Sequence, residues 1–188
     1  LKQKRQVKKN KGVILMDILV PDIYAQSIYS IDYEKLKKRN IKCLLIDLDN
    51  TIAPVDIKEP DKKIKELFNE LECMDFKIII ISNSPKNRVR PFKEHLNVDS
   101  AYSAHKPFSK KYNKILNNYK FKDTEIACIG DQLFTDILGA NRNNLTSILV
   151  NPMSSNDYFW TKINRYFEKK VYKYFEKREI LIRGKYYD

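Results

Sequence analysis

Short, unbroken apolar runs punctuate this chain: CLLI at 43–46, IIII at 78–81, IACI at 126–129 and ILV at 148–150. A strand with one wet face alternates polar and apolar residues, so runs that are apolar at every position predict strands covered on both faces. The segments between them follow a different period. In PDKKIKELFNELECM, Ile64, Leu67, Leu71 and Met74 recur at helical spacing and predict an amphipathic helix. SPKNRVRPFKEHL begins with Ser84 as a helix cap and Pro85 in the first turn, KKYNKILNNYK and TDILGANRN read as further helices, and VDSAYSA as a weak strand. An extended segment around Pro21 leads through a short helix into YEKLKKRN, helical to about Asn40. Strands alternating with helices predict an α/β fold: a Rossmann-like parallel sheet with helices on both faces. In such sheets ligands bind beyond the carboxyl ends of the strands.

Those ends carry the informative residues. The first buried run is followed by Asp47-Leu48-Asp49-Asn50-Thr51, and the second by Ser82-Asn83. The weak strand leads to Lys106, and IACIG leads to Asp131, with Asp136 further along GDQLFTD. Each has an ordinary reading alone: turn chemistry, helix capping, a solvated lysine. Together they gather a hydroxyl, an ammonium group and several carboxylates on one edge. Residues i and i+2 of a strand share a face about 7 Å apart. Carboxylates about 4 Å apart repel by about 4 kcal/mol per pair at an effective dielectric near 20. A hard divalent cation with oxygen ligands relieves that repulsion, and magnesium suits the donors best. Such a site can direct a carboxylate at phosphorus while a neighbouring carboxylate handles the leaving-group proton.

Composition narrows the alternatives. At 188 residues the chain suits one domain with an appended segment. We expect a basic leader at 1–15, a catalytic domain at 16–152 and a basic, aromatic helical segment at 153–188, with Met16 as a candidate natural start. The formal charge of +12, from 36 Lys and Arg against 24 Asp and Glu, favours anionic partners such as phosphorylated ligands, nucleic acid or an anionic lipid surface. Cys43, Cys73 and Cys128 lack metal-type spacing and fit a reducing cytosol. No apolar run approaches the ~20 residues of a membrane span. The glycines, Gly12, Gly130, Gly139 and Gly184, cannot build a P-loop. A receiver domain would need an aspartate on a later central strand, where this chain has Ser82.

The ordered set DxDxT, SN, K and GDxxxxD resembles the haloacid dehalogenase superfamily of phosphohydrolases. The resemblance implies Asp47 as nucleophile and magnesium ligand, and Asp49 as acid/base that also touches magnesium through its backbone carbonyl. It further implies that Thr51 orients the loop, that Ser82, Asn83 and Lys106 hold the phosphoryl group, that Asp131 binds magnesium and that Asp136 supports it. The interval from Asp49 to Ser82 holds one helix and one strand, leaving no room for a cap domain, so a large phosphorylated substrate is admitted. The flanks, from VPDIYAQSIYSIDYEKLKKRN to NPMSSNDYFWTKINRYFEK, are similar to the capless YqeG branch of subclass IIIA and to the phosphatidylglycerophosphate phosphatases. That likeness implies conversion of phosphatidylglycerophosphate to phosphatidylglycerol in phospholipid biosynthesis. Lipid-acting relatives often carry a lysine or another residue between the two aspartates, where this chain has Leu48.

In the last segment Trp160, Ile163, Phe167, Val171 and Tyr174 share one helical face, with Lys162, Arg165, Lys169, Lys170, Lys173 and Lys177 largely elsewhere. Such a helix covers the sheet, packs on a partner chain or lies on an anionic membrane surface, the last of which would make a cytoplasmic protein peripheral on the inner face. Arg88 and Arg90 either steer an anionic substrate or face solvent, and His105 is a candidate wall of the site. The alternatives are a phosphatase of another macromolecule, a nucleotide or a sugar phosphate, and an RNA- or ribosome-associated binding protein on the same scaffold.

Overall fold

The apolar runs form the centre of one parallel sheet in a computed structural model that describes residues 16–188. The basic leader expected at 1–15 lies outside the described residues. The strands are β1 (Ile23–Ala25), β2 (Cys43–Ile46), β3 (Lys77–Ile81), β4 (Asp99–Ala101), β5 (Ile126–Gly130) and β6 (Thr146–Val150). Their order across the sheet is β1-β6-β5-β2-β3-β4. The chain therefore builds outward from β2 in one direction through β3 and β4, then returns to the other side of β2 with β5. That reversal opens a crevice between the ends of β2 and β5. The pairing Ile46↔Ile129 places Asp47 and Gly130 side by side at its rim.

The sheet alternates its side chains between two layers. Leu44, Ile46, Ile78, Ile80, Ala127 and Ile129 point to one face and meet α1 (Tyr33–Lys38), α2 (Lys62–Cys73) and α3 (Lys86–Leu96) through Leu36, Ile64, Phe68, Val89 and Phe92. Cys43, Leu45, Ile79, Ile81 and Cys128 point to the other and meet α4 (Lys110–Tyr119) through Tyr112 and Ile115. Burial pushes the Cys43 and Cys128 thiols up to about 12, which makes them core residues rather than reactive groups.

Three local features differ from expectation. Residues 23–25 form the edge strand β1, too short to announce itself, and it is paired on its outer side by Tyr187. The Ser84 hydroxyl does not cap α3, whose N-cap is Pro85 with no side-chain bond, because that hydroxyl donates to Asp49 at 2.5 Å. The helix in TDILGANRN opens with a π-helical turn at Leu133–Ile137 before regular α5 (Leu138–Arg142). Such insertions commonly aim a side chain at a site.

The last helix, α6 (Phe159–Lys177), lies over this same side of the sheet. Val171 and Phe175 join Tyr24, Leu133, Ile137, Leu149 and Leu181 in a third apolar cluster. The buried stripe is rotated from the expected one: Phe167 is 49% exposed, whereas Glu168 is buried. A polar attachment at the catalytic edge sets that rotation.

Candidate active site

The loop after β2 is closed around one carbonyl. Ile52 and Ala53 donate their N–H groups to Leu48 O at 3.0 and 3.1 Å, and Asn50 N donates to Ala53 O at 2.8 Å. Asn50 takes the left-handed conformation, φ 61°, that this turn needs and asparagine tolerates. Leu48 is fully buried in the core between two aspartates that line the cavity.

Asp47 extends β2 by one residue, its N–H donating to Ile129 O at 2.9 Å. Its Oδ1 accepts from Lys106 Nζ at 2.6 Å, and the same ammonium donates to Asp136 Oδ1 at 2.6 Å and Ile81 O at 3.0 Å. All three of its protons are thus used. Asn83 holds Lys106 in place through both halves of its amide: Oδ1 accepts from Lys106 N at 2.6 Å, and Nδ2 donates to Lys106 O at 3.2 Å. Ser82, buried at the end of β3, accepts from Ser84 N at 3.0 Å through its hydroxyl.

Asp49 faces the opposite wall. Its Oδ2 accepts from Ser84, and its Oδ1 from Arg88 Nε at 2.9 Å. Arg88 also donates to the carbonyls of Pro54, at 3.1 Å, and Ile57. Of the two candidate steering arginines, Arg88 is therefore engaged with Asp49, and Arg90 pairs with Glu94 on the helix surface.

On β5, Asp131 is buried and its Oδ1 accepts from Thr51 Oγ1 at 3.3 Å. Asp136, carried back by the π turn, receives Gln132 N at 3.1 Å on the oxygen that Lys106 leaves free. One carboxylate oxygen from each of Asp47, Asp131 and Asp136 lies within 4.8 Å of the others. Burial drives the pKa of Asp47 well above the usual carboxylate range against the pull of Lys106, and raises Asp131 to about 6 against the pull of Arg165. Three buried carboxylates gathered this closely, presenting only hard oxygen donors, fit a divalent cation. Burial also opposes the Lys106 charge, but Asp136 and Asp47 outweigh it and hold the ammonium form.

Asp47, Asp49, Ser82, Asn83 and Lys106 line a cavity of about 700 Å³. Part of its lining comes from outside the motifs: Tyr158, the N-cap of α6, and Thr161 and Asn164 in its first turns. Among the candidate residues, Thr51, Asp131, Asp136 and His105 are not part of the cavity lining. The segment before α6 and α6 itself are both tied to the loops that follow β2 and β5. Asn50 Nδ2 donates to Asn156 O at 2.7 Å and Asp157 Oδ1 at 2.9 Å, while Arg165 contacts Asp131. Sequence reasoning missed both, since Asn50 reads as a turn residue and Arg165 as one more cation in a basic tail.

The mitochondrial PGP phosphatase family matches residues 4–153. The chain belongs to this family. It is also 40% identical over 152 residues to the "Probable phosphatase YqeG" of Bacillus subtilis, covering 81% of this chain and 88% of that one. With the "Phosphatidylglycerophosphate phosphatase 1, chloroplastic/mitochondrial" of Arabidopsis thaliana it shares 22% identity over 160 residues, 76% of this chain and 44% of that one. In fold it is similar to the cobalt-bound deoxy-D-mannose-octulosonate 8-phosphate phosphatase from Haemophilus influenzae: TM-score 0.51, 13% identity, 73% of this chain and 90% of that one. The PGP phosphatase family member described here is thus a phosphatase of the haloacid dehalogenase type, a phosphoric monoester hydrolase without a cap domain.

Proposed function

We propose that this phosphatase is magnesium-dependent, works through an aspartyl-phosphate on Asp47 and acts on phosphatidylglycerophosphate to release phosphatidylglycerol. The observation that carries the chemistry is the Lys106 ammonium shared between Asp47 and Asp136 at 2.6 Å each inside a buried carboxylate cluster. Asp47, Asp131 and Asp136 would hold the ion, with the Asp49 carbonyl a further donor, and bound magnesium would offset phosphoryl charge. Asp47 Oδ attacks phosphorus as the bond to the leaving oxygen breaks, and Asp49 gives that oxygen its proton. Asp49 then takes a proton from water, whose oxygen attacks phosphorus and frees Asp47 and inorganic phosphate. Lys106, Ser82 and the Asn83 backbone hold the phosphoryl oxygens. Thr51 fixes Asp131.

The lipid assignment rests on the surface around the cavity. Tyr158 lines the cavity and is itself exposed, and Phe108, two residues after Lys106, and Phe159, next to Tyr158, are exposed too, Phe159 by 71%. The outer face of α6 continues that patch with Lys162, Tyr166, Lys169, Lys170 and Lys173. Aromatic rings interleaved with lysines suit the boundary of an anionic bilayer, and no helix among the described residues is long and apolar enough to cross one. A protein held peripherally in this way would meet its substrate's phosphomonoester end-on.

The test is phosphate release from phosphatidylglycerophosphate in anionic vesicles, alongside a soluble aryl phosphate, with and without magnesium. Wild type should turn over the lipid, and Asp47→Asn should lose roughly 10³-fold or more. Equal rates in both proteins would overturn the chemistry. Efficient hydrolysis of a sugar phosphate or nucleotide with none of the lipid would overturn the substrate. Salt-sensitive RNA binding without phosphatase activity would favour the binding-protein alternative.

A further inference from the structure

From α6, Arg165 reaches the carboxylate cluster at Asp131, and its guanidinium is divided among Asp131, Asp157 and Glu168. NH2 meets Asp131 Oδ2, NH1 donates to Asp131 O at 2.8 Å and to Glu168 Oε2 at 3.2 Å, and Nε meets Asp157 Oδ2 at 3.4 Å. Lys106 is already divided between Asp47 and Asp136, so among the described residues Arg165 is the cation in direct contact with Asp131. Glu168, one turn further and buried, accepts from Phe134 N at 3.1 Å and from Arg165, which fixes the arginine's rotamer against the π turn that carries Asp136. Asp157 is held in turn by Asn50 Nδ2 at 2.9 Å, next to Asp49 in the first catalytic loop.

We propose that Arg165 is a positioning residue for the metal site: its fork, braced by Asp157 and Glu168, holds Oδ2 and the carbonyl of Asp131 and so leaves Oδ1, engaged only by Thr51 at 3.3 Å, as the oxygen offered to the cation. The proposal rests on the reading of Asp131 as a metal ligand. Groups that orient a ligand in this way are worth 10–100-fold in metal affinity. The planar fork takes both the side chain and the carbonyl of Asp131, a geometry that a lysine's single ammonium cannot reproduce. The last helix is then a component of the catalytic centre, supplying to this capless enzyme both a wall of the pocket and the brace of its fourth motif.

The competing account is that Arg165 only pins α6 to the sheet. The two are separated by titrating metal-stripped protein with magnesium alone, read as the magnesium-dependent rise in melting temperature and by calorimetry. Arg165→Met should raise the half-saturating magnesium about tenfold or more, and Arg165→Lys should recover little of it. Phe175→Leu, which loosens the same helix at its apolar end without touching Asp131, should lower the melting temperature and leave the half-saturating magnesium within twofold. Should Arg165→Met not fold, Arg165→Gln and Arg165→Lys carry the comparison. An unchanged magnesium requirement in the arginine variants, or an equal shift in Phe175→Leu, would overturn the proposal. Asp131→Asn is the reference: if it too keeps the wild-type magnesium response, the metal reading fails, whereas loss there with no change at Arg165 sinks only the positioning role.

Discussion

A methyl group at residue 130 would sit 2.2 Å from Cγ of Asp136 and 2.5 Å from its Oδ2. The glycine of GDQLFTD is therefore required because the Asp136 side chain lies flat against its backbone. Gly130→Ala must push Asp136 off Lys106, and such overpacking costs about 1–3 kcal/mol. The expected outcome is a folded protein, by circular dichroism, with phosphatase activity reduced at least as strongly as stability. Activity near wild type would mean that Asp136 is dispensable. Leu48 makes the complementary point. Buried between two aspartates, it addresses the core, so its identity bears on the packing of the loop and not on recognition of the substrate.

At the scale of elements, α6 couples stability to pH. Burial raises Glu168 from 4.5 to about 7, with Arg165 opposing. The folded protein thus holds this proton at pH values where the unfolded chain has lost it. The resulting stability is fully present below 4.5 and is lost as pH rises through 7, by at most about 3 kcal/mol. In urea denaturation of metal-free protein, wild type should lose more stability than Glu168→Gln between pH 5 and 7.5. Parallel pH profiles would contradict this. The same helix marks the limit of what the sequence made legible. Continuous apolar runs announced β2, β3, β5 and β6, and the strand ends announced the gathering of Asp47, Lys106, Asp131 and Asp136, because burial on both faces and clustered charge leave local patterns. Three residues of β1 leave none, and the orientation of α6 is set by a distant aspartate. Helical periodicity therefore put Phe167 inward and Arg165 outward, and the ion pair with Asp131 reversed them.

Over the whole molecule the +12 charge is not spread evenly. The solvent side of α6 carries Lys162, Lys169, Lys170, Lys173 and Lys177, while its acids Glu168 and Glu176 face inward or sit at intermediate depth. Each basic residue near an anionic surface contributes about 1 kcal/mol. Reversing three of them, Lys169, Lys170 and Lys173→Glu, should cut partition onto anionic vesicles by roughly a hundredfold or more. Hydrolysis of a soluble aryl phosphate should stay unchanged. The same reversal on α4, at Lys110, Lys111 and Lys114, serves as the control, and equal losses would show attraction by net charge alone. The arrangement of the sheet has a further consequence for biogenesis. Asp47 leaves the ribosome well before Asp131 and Asp136, and Arg165 follows later still, so a chain that has not yet made α6 holds the carboxylates without their brace. Catalytic competence is then acquired in one late event, when the final helix seats on a sheet that is already built.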